Sequence, residues 1–145
     1  MMKFVRSSLL GFMPVIMLAC AASGSPAISL VKEGVQVSAK LGKISINNAT
    51  QAHFVHAELT IYNKSKKLKS ANLNCLALTV GGVVSDEIDV DSIASVLSDP
   101  YPADANGQIK VPVYWVFSAG KVRDIQGLPD AKLSVKSGAA SCFRY

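Results

Sequence analysis

Apolar and polar residues alternate along most of the chain, which is typical of β-strands that bury one face. The clearest alternation runs from His53 to Tyr62 and from Gln108 to Phe117, and the apolar faces of these segments are expected to meet in the core. Weaker alternation predicts one strand around Val35 and Val37, another around Ile44 and Ile46, and a late strand at Leu133 to Val135. The pattern predicts an all-β domain.

Two segments depart from this alternation. Leu73 to Val80 is almost entirely apolar, so we expect a strand that is covered on both faces. Ser92 to Leu97 favours a short helix, with Ser92 as its N-cap. Turn-forming pairs such as Gly81-Gly82 and Asn106-Gly107 separate the strands at a spacing that is typical of a β-sandwich.

Pro112 interrupts the second clear strand. Because proline has no backbone N–H to donate to a neighbouring strand, this strand is predicted to be an edge strand or to carry a bulge. An exposed edge can be extended by a strand of another protein. Tyr114 and Val116, which point outward beside it, are therefore predicted partner-binding residues.

The N-terminus has the order of a secretory signal peptide: Lys3 and Arg6, then an apolar run from Leu9 to Ala19, then small residues. The apolar run is shorter than the roughly 20 residues that cross a bilayer. Its end, Met17-Leu18-Ala19-Cys20, resembles the lipobox of bacterial lipoproteins. The resemblance implies cleavage before Cys20 and lipidation of that cysteine, and Ala21 after it favours the outer membrane.

The resulting organisation is a signal peptide at residues 1–19, a lipidated cysteine and tether at 20–27, and a folded domain at 28–145. The alternative is ordinary cleavage after Ala21 or Ala22, which would release a soluble periplasmic or secreted protein. The chain has three cysteines, and if Cys20 is lipidated or removed, Cys75 and Cys142 remain. Outside the cytosol such a pair is expected to form a disulfide, the alternative being two separate buried thiols.

Composition restricts the function further. A chain of 145 residues with a formal net charge of +5 is long enough for one domain, and two of its cations belong to the signal. This mild positive charge gives no reason to expect a nucleic-acid partner. His53 and His56 are three positions apart, so a strand places them on opposite faces and no metal site is predicted. On its own face, His56 could pair with Glu58.

Two charged groups of residues are candidate binding surfaces. The lysine turn crowds four cations after the first clear strand and could bind an acidic protein or an anionic envelope component: Lys64, Lys66, Lys67 and Lys69. The acidic face, expected to be exposed to solvent, alternates along one predicted strand: Glu87, Asp89 and Asp91. A hard cation or a basic partner is the alternative reading of the acidic face.

The chain contains no nucleophile elbow, metalloprotease helix or phosphate-binding glycine loop, so no enzyme activity and no cofactor are predicted. Its order of strands, with Ala57 to Asn63 running into a polar turn and Val111 to Phe117 closing the sheet, resembles the immunoglobulin-like β-sandwich of small bacterial lipoproteins. The resemblance covers residues 34–137 in pattern and implies an architecture only.

Together these features predict a periplasm-facing outer membrane lipoprotein that is anchored by its lipid and binds another envelope protein or an anionic envelope component. A second hypothesis is a small secreted inhibitor or immunity protein directed against a hydrolase such as a lysozyme. In that case the acidic face, or the loop from Asp99 to Gly107, would enter the cleft of a basic enzyme. A third hypothesis is an accessory subunit of an envelope secretion machine.

Overall fold

The computed structural model describes residues 27–65, 67–91, 100–121, 128, 130–136 and 141–145. The predicted signal peptide, Cys20, Lys66 and the predicted helix from Ser92 to Leu97 lie outside these residues. The strands in chain order are β1 Ala27–Lys32, β2 Val35–Ile46, β3 His53–Asn63, β4 Ser70–Ala71, β5 Leu76–Val80, β6 Val83–Val84, β7 Glu87–Val90, β8 Tyr101–Pro102, β9 Gln108–Phe117, β10 Lys132–Val135 and β11 Phe143–Arg144. One short 3-10 helix, Leu73–Cys75, precedes β5.

The strands form three antiparallel sheets. The largest has five strands in the order β1-β2-β3-β9-β7, and the two smaller sheets have the orders β10-β5-β6 and β11-β4-β8. The prediction of an all-β domain is therefore confirmed. The two clearest predicted strands are the neighbours β3 and β9, which pair without interruption from His53 opposite Phe117 to Tyr62 opposite Gln108.

Residues of β2 were predicted to belong to two strands but form one. The pairs Leu41 with Ala57 and Ile44 with Val55 leave two residues of β2, Gly42 and Lys43, opposite the single residue His56. Such a β-bulge adds one residue to a strand without ending it. The alternation of faces therefore shifts after the bulge, and Ser45 lies on the outer face where an unbroken strand would place it in the core.

The prediction that Pro112 lies on an edge strand or at a bulge is wrong. β9 lies between β3 and β7, and its register with β3 does not shift. The carbonyl of Pro112 accepts a hydrogen bond from the backbone N–H of Asp91 at 2.8 Å, one residue after β7 ends. Because the N–H and C=O of one residue point to the same side of a strand, the missing proline donor faces the place where β7 stops, so little pairing is lost.

A single core joins the inner face of the large sheet to the smaller sheets. From the large sheet it takes Val37, Val55, Leu59, Val111 and Trp115, all at most 2% exposed. From the other side it takes residues of β4, β5, β10 and β11: Ala71, Leu76, Leu78, Leu133 and Phe143. Leu73 to Val80 is predicted to be covered on both faces. This is confirmed for β5, because neighbouring residues of a strand point to opposite faces and consecutive residues of β5 are buried.

A disulfide closes the C-terminal end of the chain onto this core. Cys75 and Cys142 are bonded, with their Cα atoms 5.9 Å apart and a sequence separation of 67 positions. Both residues are buried. The carbonyl of Cys142 also accepts a hydrogen bond from the N–H of Asn72 at 2.8 Å, and the strand that follows Cys142 pairs with β4. The predicted cysteine pair is therefore confirmed.

Replacing both Cys75 and Cys142 with alanine is expected to lower the free energy of unfolding by about 4 kcal/mol, because the bond restricts the unfolded chain over a loop of 67 residues. Urea unfolding of the double variant beside the unmodified protein measures the difference. A change within about 0.5 kcal/mol, the range of an ordinary surface substitution, would contradict this expectation.

Candidate functional site

An exposed groove of about 640 Å³ lies where the β1–β2 turn, the end of β3 and the last residue of the chain meet. This tyrosine groove is lined among others by Val31, Tyr62, Lys64, Ser65 and Tyr145. Its apolar side chains are open to solvent: Val31 is 73% exposed, Tyr145 49% and Tyr62 36%. The described residues include only two other large apolar side chains with comparable exposure, Ile46 and Val84, so most such surface converges here.

The backbone places these residues side by side. Glu33 and Gly34 have φ angles of 53° and 75° and connect β1 to β2 in a two-residue turn, for which a residue without a Cβ is favoured. Val35, directly after this turn, pairs with Asn63 at the end of β3. The hydroxyl of Tyr145 donates a hydrogen bond to the carbonyl of Glu33 at 3.0 Å. The C-terminal ring is thereby fixed against the turn.

The lysine turn continues one side of the groove. Asn63 is buried and its side-chain oxygen accepts a hydrogen bond from the backbone of Lys67 at 3.3 Å, while Leu68 enters the core. The N–H of Lys69 donates to the carbonyl of Arg144 at 2.8 Å. With the backbone held at these points, Lys64, Lys67 and Lys69 are exposed, and a second groove of about 470 Å³ beside Lys67 and Lys69 shares Tyr145 with the first.

The structure separates the other two predicted binding residues from the lysine turn. Tyr114 pairs with His56 near the start of β3, whereas the lysine turn follows the end of that strand. Val116 is 8% exposed, and therefore offers little surface to a partner. Tyr114 is half-buried and its hydroxyl donates to Asp89 Oδ2 at 3.1 Å. Burial, and then the Asp89 carboxylate, raise the pKa of Tyr114 above its ordinary value of 10.0.

Tyr114 belongs to a polar patch on the outer face of the five-stranded sheet. His56 Nε2 lies 2.8 Å from Ser45 Oγ, and His56 Nδ1 lies 2.5 Å from Asp91 Oδ2. The ring of Tyr114 is 5.7 Å from the ring of His56 and 5.3 Å from that of Phe54, measured between centroids. The three hydrogen-bonded side chains are called the polar row below: Ser45, His56 and Asp91.

The sequence-based pairing of His56 with Glu58 is wrong. Glu58 forms an ion pair with Lys110 at 3.1 Å, and the partner of His56 is Asp91 because β7 lies next to β9. The prediction that His53 and His56 lie on opposite faces is confirmed by their positions in β3. His53 Nδ1 is buried without a hydrogen-bond partner among the described residues.

The acidic face is less free than the sequence suggested. Asp89 accepts from Tyr114 and Asp91 pairs with His56, although Glu87 remains exposed. The strand that carries them is fixed at its start by Asp86, whose carboxylate contacts the Lys121 ammonium and accepts from the N–H of Ser118. These two donors lower the pKa of Asp86 from 3.8 to about 2.

Several residues of these sites were not identified from the sequence. Val31, Tyr62 and Tyr145 stand out only once the turn, the strand end and the chain terminus are known to meet. The sequence offers one signal for the groove: Tyr145 lies three residues after Cys142, which is predicted to be in a disulfide. The alternation of Ile44 and Ile46 indicates a separate strand with Ser45 on its polar face, but the sequence does not show that a β-bulge joins this strand to β2 and brings Ser45 to His56.

No protein-family model, curated protein or solved structure matches this chain. Within the described residues, no helix is long and apolar enough to cross a membrane. In the same part of the chain, no three acidic, histidine or cysteine side chains are grouped so that they could hold a metal ion. The tyrosine groove, the lysine turn and the polar row are the candidate sites among the described residues.

The tyrosine absorption of the protein is expected to show Tyr114 ionising above its ordinary pKa of 10.0, since burial and Asp89 both disfavour its charged form. Subtracting the alkaline titration of the Tyr114→Phe variant isolates this step. Asp89→Asn should lower the pKa of Tyr114 but leave part of the elevation, because burial remains. Tyr62→Phe serves as the control, and a Tyr114 pKa that Asp89→Asn leaves unchanged would contradict the hydrogen bond.

Proposed function

We propose that this protein is an exported lipoprotein, anchored through Cys20 on the periplasmic side of the outer membrane, whose immunoglobulin-like β-sandwich binds another envelope protein. Binding takes place in the tyrosine groove and along the lysine turn. The observation that carries the proposal is the convergence of exposed apolar side chains on one groove, with Lys64 in its lining and Lys67 and Lys69 beside it.

The chemistry of the groove favours a protein partner. Tyrosine offers a large contact area with few rotatable bonds to immobilise, and it is enriched where proteins bind each other. Tyr62 and Tyr145 supply two such rings to the groove lining, which also includes the apolar side chain of Val31. The lysines attract carboxylates and speed the encounter with an acidic surface. The partner is therefore expected to present an apolar or aromatic side chain flanked by acidic residues.

The direction of β1 supports this choice of partner. β1 begins at Ala27, on the side from which the tether would arrive, and ends at Lys32 beside the groove. Six residues of extended chain span roughly 17 Å. The groove would then lie at the end of β1 that is farther from the tether and from the membrane. There it is more accessible to a periplasmic protein than to the lipid headgroups of that membrane.

The inhibitor hypothesis depends on carboxylates that are free to enter a basic cleft. Asp89 and Asp91 already have partners in Tyr114 and His56 on their own sheet. Asp99, at the start of the loop that was the other candidate, lies outside the described residues. Among the described residues, no contact favours this hypothesis over binding in the tyrosine groove.

Tyr62→Ala and Tyr145→Ala are each expected to weaken the complex by about tenfold or more, the effect of removing an aromatic anchor from an interface. Replacing Lys64, Lys67 and Lys69 together with glutamate should reduce binding further through repulsion of an acidic partner. The measurement is the amount of one partner recovered from a detergent extract of host envelopes on the immobilised domain, with the melting temperature of each variant.

The matched control replaces Lys40, Lys43 and Lys132, which are exposed elsewhere on the domain, with glutamate. This control carries the same change in net charge and should retain the partner. Equal loss in both triple variants would sink the proposal, because binding would then depend on net charge alone. If no protein is recovered and the domain binds phosphatidylglycerol vesicles in a lysine-dependent way, the partner is an anionic envelope component and not a protein.

A further inference from the structure

The polar row has the order and geometry of a nucleophile, a base and an orienting acid. Ser45 Oγ is 2.8 Å from His56 Nε2, and the other ring nitrogen, Nδ1, is 2.5 Å from Asp91 Oδ2. A carboxylate at Nδ1 keeps the proton of a neutral imidazole on that nitrogen, which leaves Nε2 free to accept the hydroxyl proton. We propose that Ser45 is an activated nucleophile that reacts with small carboxylic esters, in addition to the binding function above.

The β-bulge in β2 is what brings Ser45 to this position. Because Gly42 and Lys43 both lie opposite His56, the strand gains one residue and Ser45 turns to the outer face, where it is paired with Phe54. β-Bulges are common beside active sites, where they redirect a side chain. His56 comes from β3 and Asp91 follows β7, so three strands of one rigid sheet position the row.

The surroundings indicate which esters would fit. The His56 side chain is 16% exposed and that of Asp91 42%, so the row is shallow and open. The rings of Phe54 and Tyr114, 5.3 Å apart, lie on the same face. An acyl group that reaches Ser45 would contact the ring of Phe54, on the neighbouring strand. Short acyl chains on a good leaving group therefore suit the site better than large substrates that need a deep pocket.

The proposed reaction has two balanced steps. Ser45 Oγ bonds to the ester carbonyl carbon while its proton passes to His56 Nε2, and the bond from that carbon to the leaving oxygen breaks. The leaving alcohol takes the proton from Nε2, which gives acyl-Ser45. Water then adds to the acyl carbon with His56 again as the base, and the carboxylic acid leaves as Ser45 is restored. Asp91 stabilises the imidazolium that forms in both steps.

The test uses the purified full chain with a fluorophosphonate probe and, separately, p-nitrophenyl acetate. We expect a single phosphonyl adduct on Ser45, no adduct in Ser45→Ala, and a labelling rate in His56→Gln at least about 100-fold lower, as when a general base is removed. Asp91→Asn should slow labelling as well, through loss of the orienting carboxylate.

Ser38→Ala is the matched control, since Ser38 lies on the same strand and pairs with Thr60 on β3. It should label at the unmodified rate. Should Ser45→Ala fail to fold, Ser45→Cys keeps a nucleophile, and its acylation must fall when His56→Gln is added. Labelling that persists without Ser45, that is unchanged by His56→Gln, or that does not exceed the rate of heat-denatured protein would overturn the proposal.

Discussion

The disulfide between Cys75 and Cys142 is the constraint on which the proposed binding site depends. It fixes the chain directly before β11, and Tyr145 follows that strand by one residue. The Tyr145 hydroxyl then bonds to Glu33 in the β1–β2 turn. Without the covalent link, the segment that carries Tyr145 would be held by the short pairing of β11 with β4 and by a few hydrogen bonds. The disulfide is therefore the covalent connection between the core and this side of the candidate site.

The two candidate sites use the same sheet in different ways. β3 ends at the tyrosine groove, where turns and a chain terminus present apolar rings beside lysines. Near its start the same strand carries His56, which is held between Ser45 and Asp91 by neighbouring strands. A central strand paired on both sides gives both regions a rigid base, so binding in the groove and chemistry at the row can be tested independently.

Much of the fold could be predicted from the sequence because period-two alternation reports directly on which face is buried. β3 and β9 follow this rule along their whole length, and the cysteine pair followed from counting. Strand order cannot be read in this way, so the sequence predicts an edge strand or a bulge at Pro112 and a pairing of His56 with Glu58, whereas the partner of His56 is Asp91. The bulge that directs Ser45 and the convergence of Tyr62 and Tyr145 on one groove also depend on contacts between distant segments.

Crosslinking from within the tyrosine groove tests whether a protein of the envelope occupies it, as proposed. A photoreactive amino acid at Gln36 or at Ser65, both in the groove lining, is compared in intact host cells with one at Lys132 on β10. We expect one crosslinked partner that is common to both groove positions and absent at Lys132, and that is lost when Cys75 and Cys142 are replaced. Identical products from all three positions, or none from the groove, would contradict it.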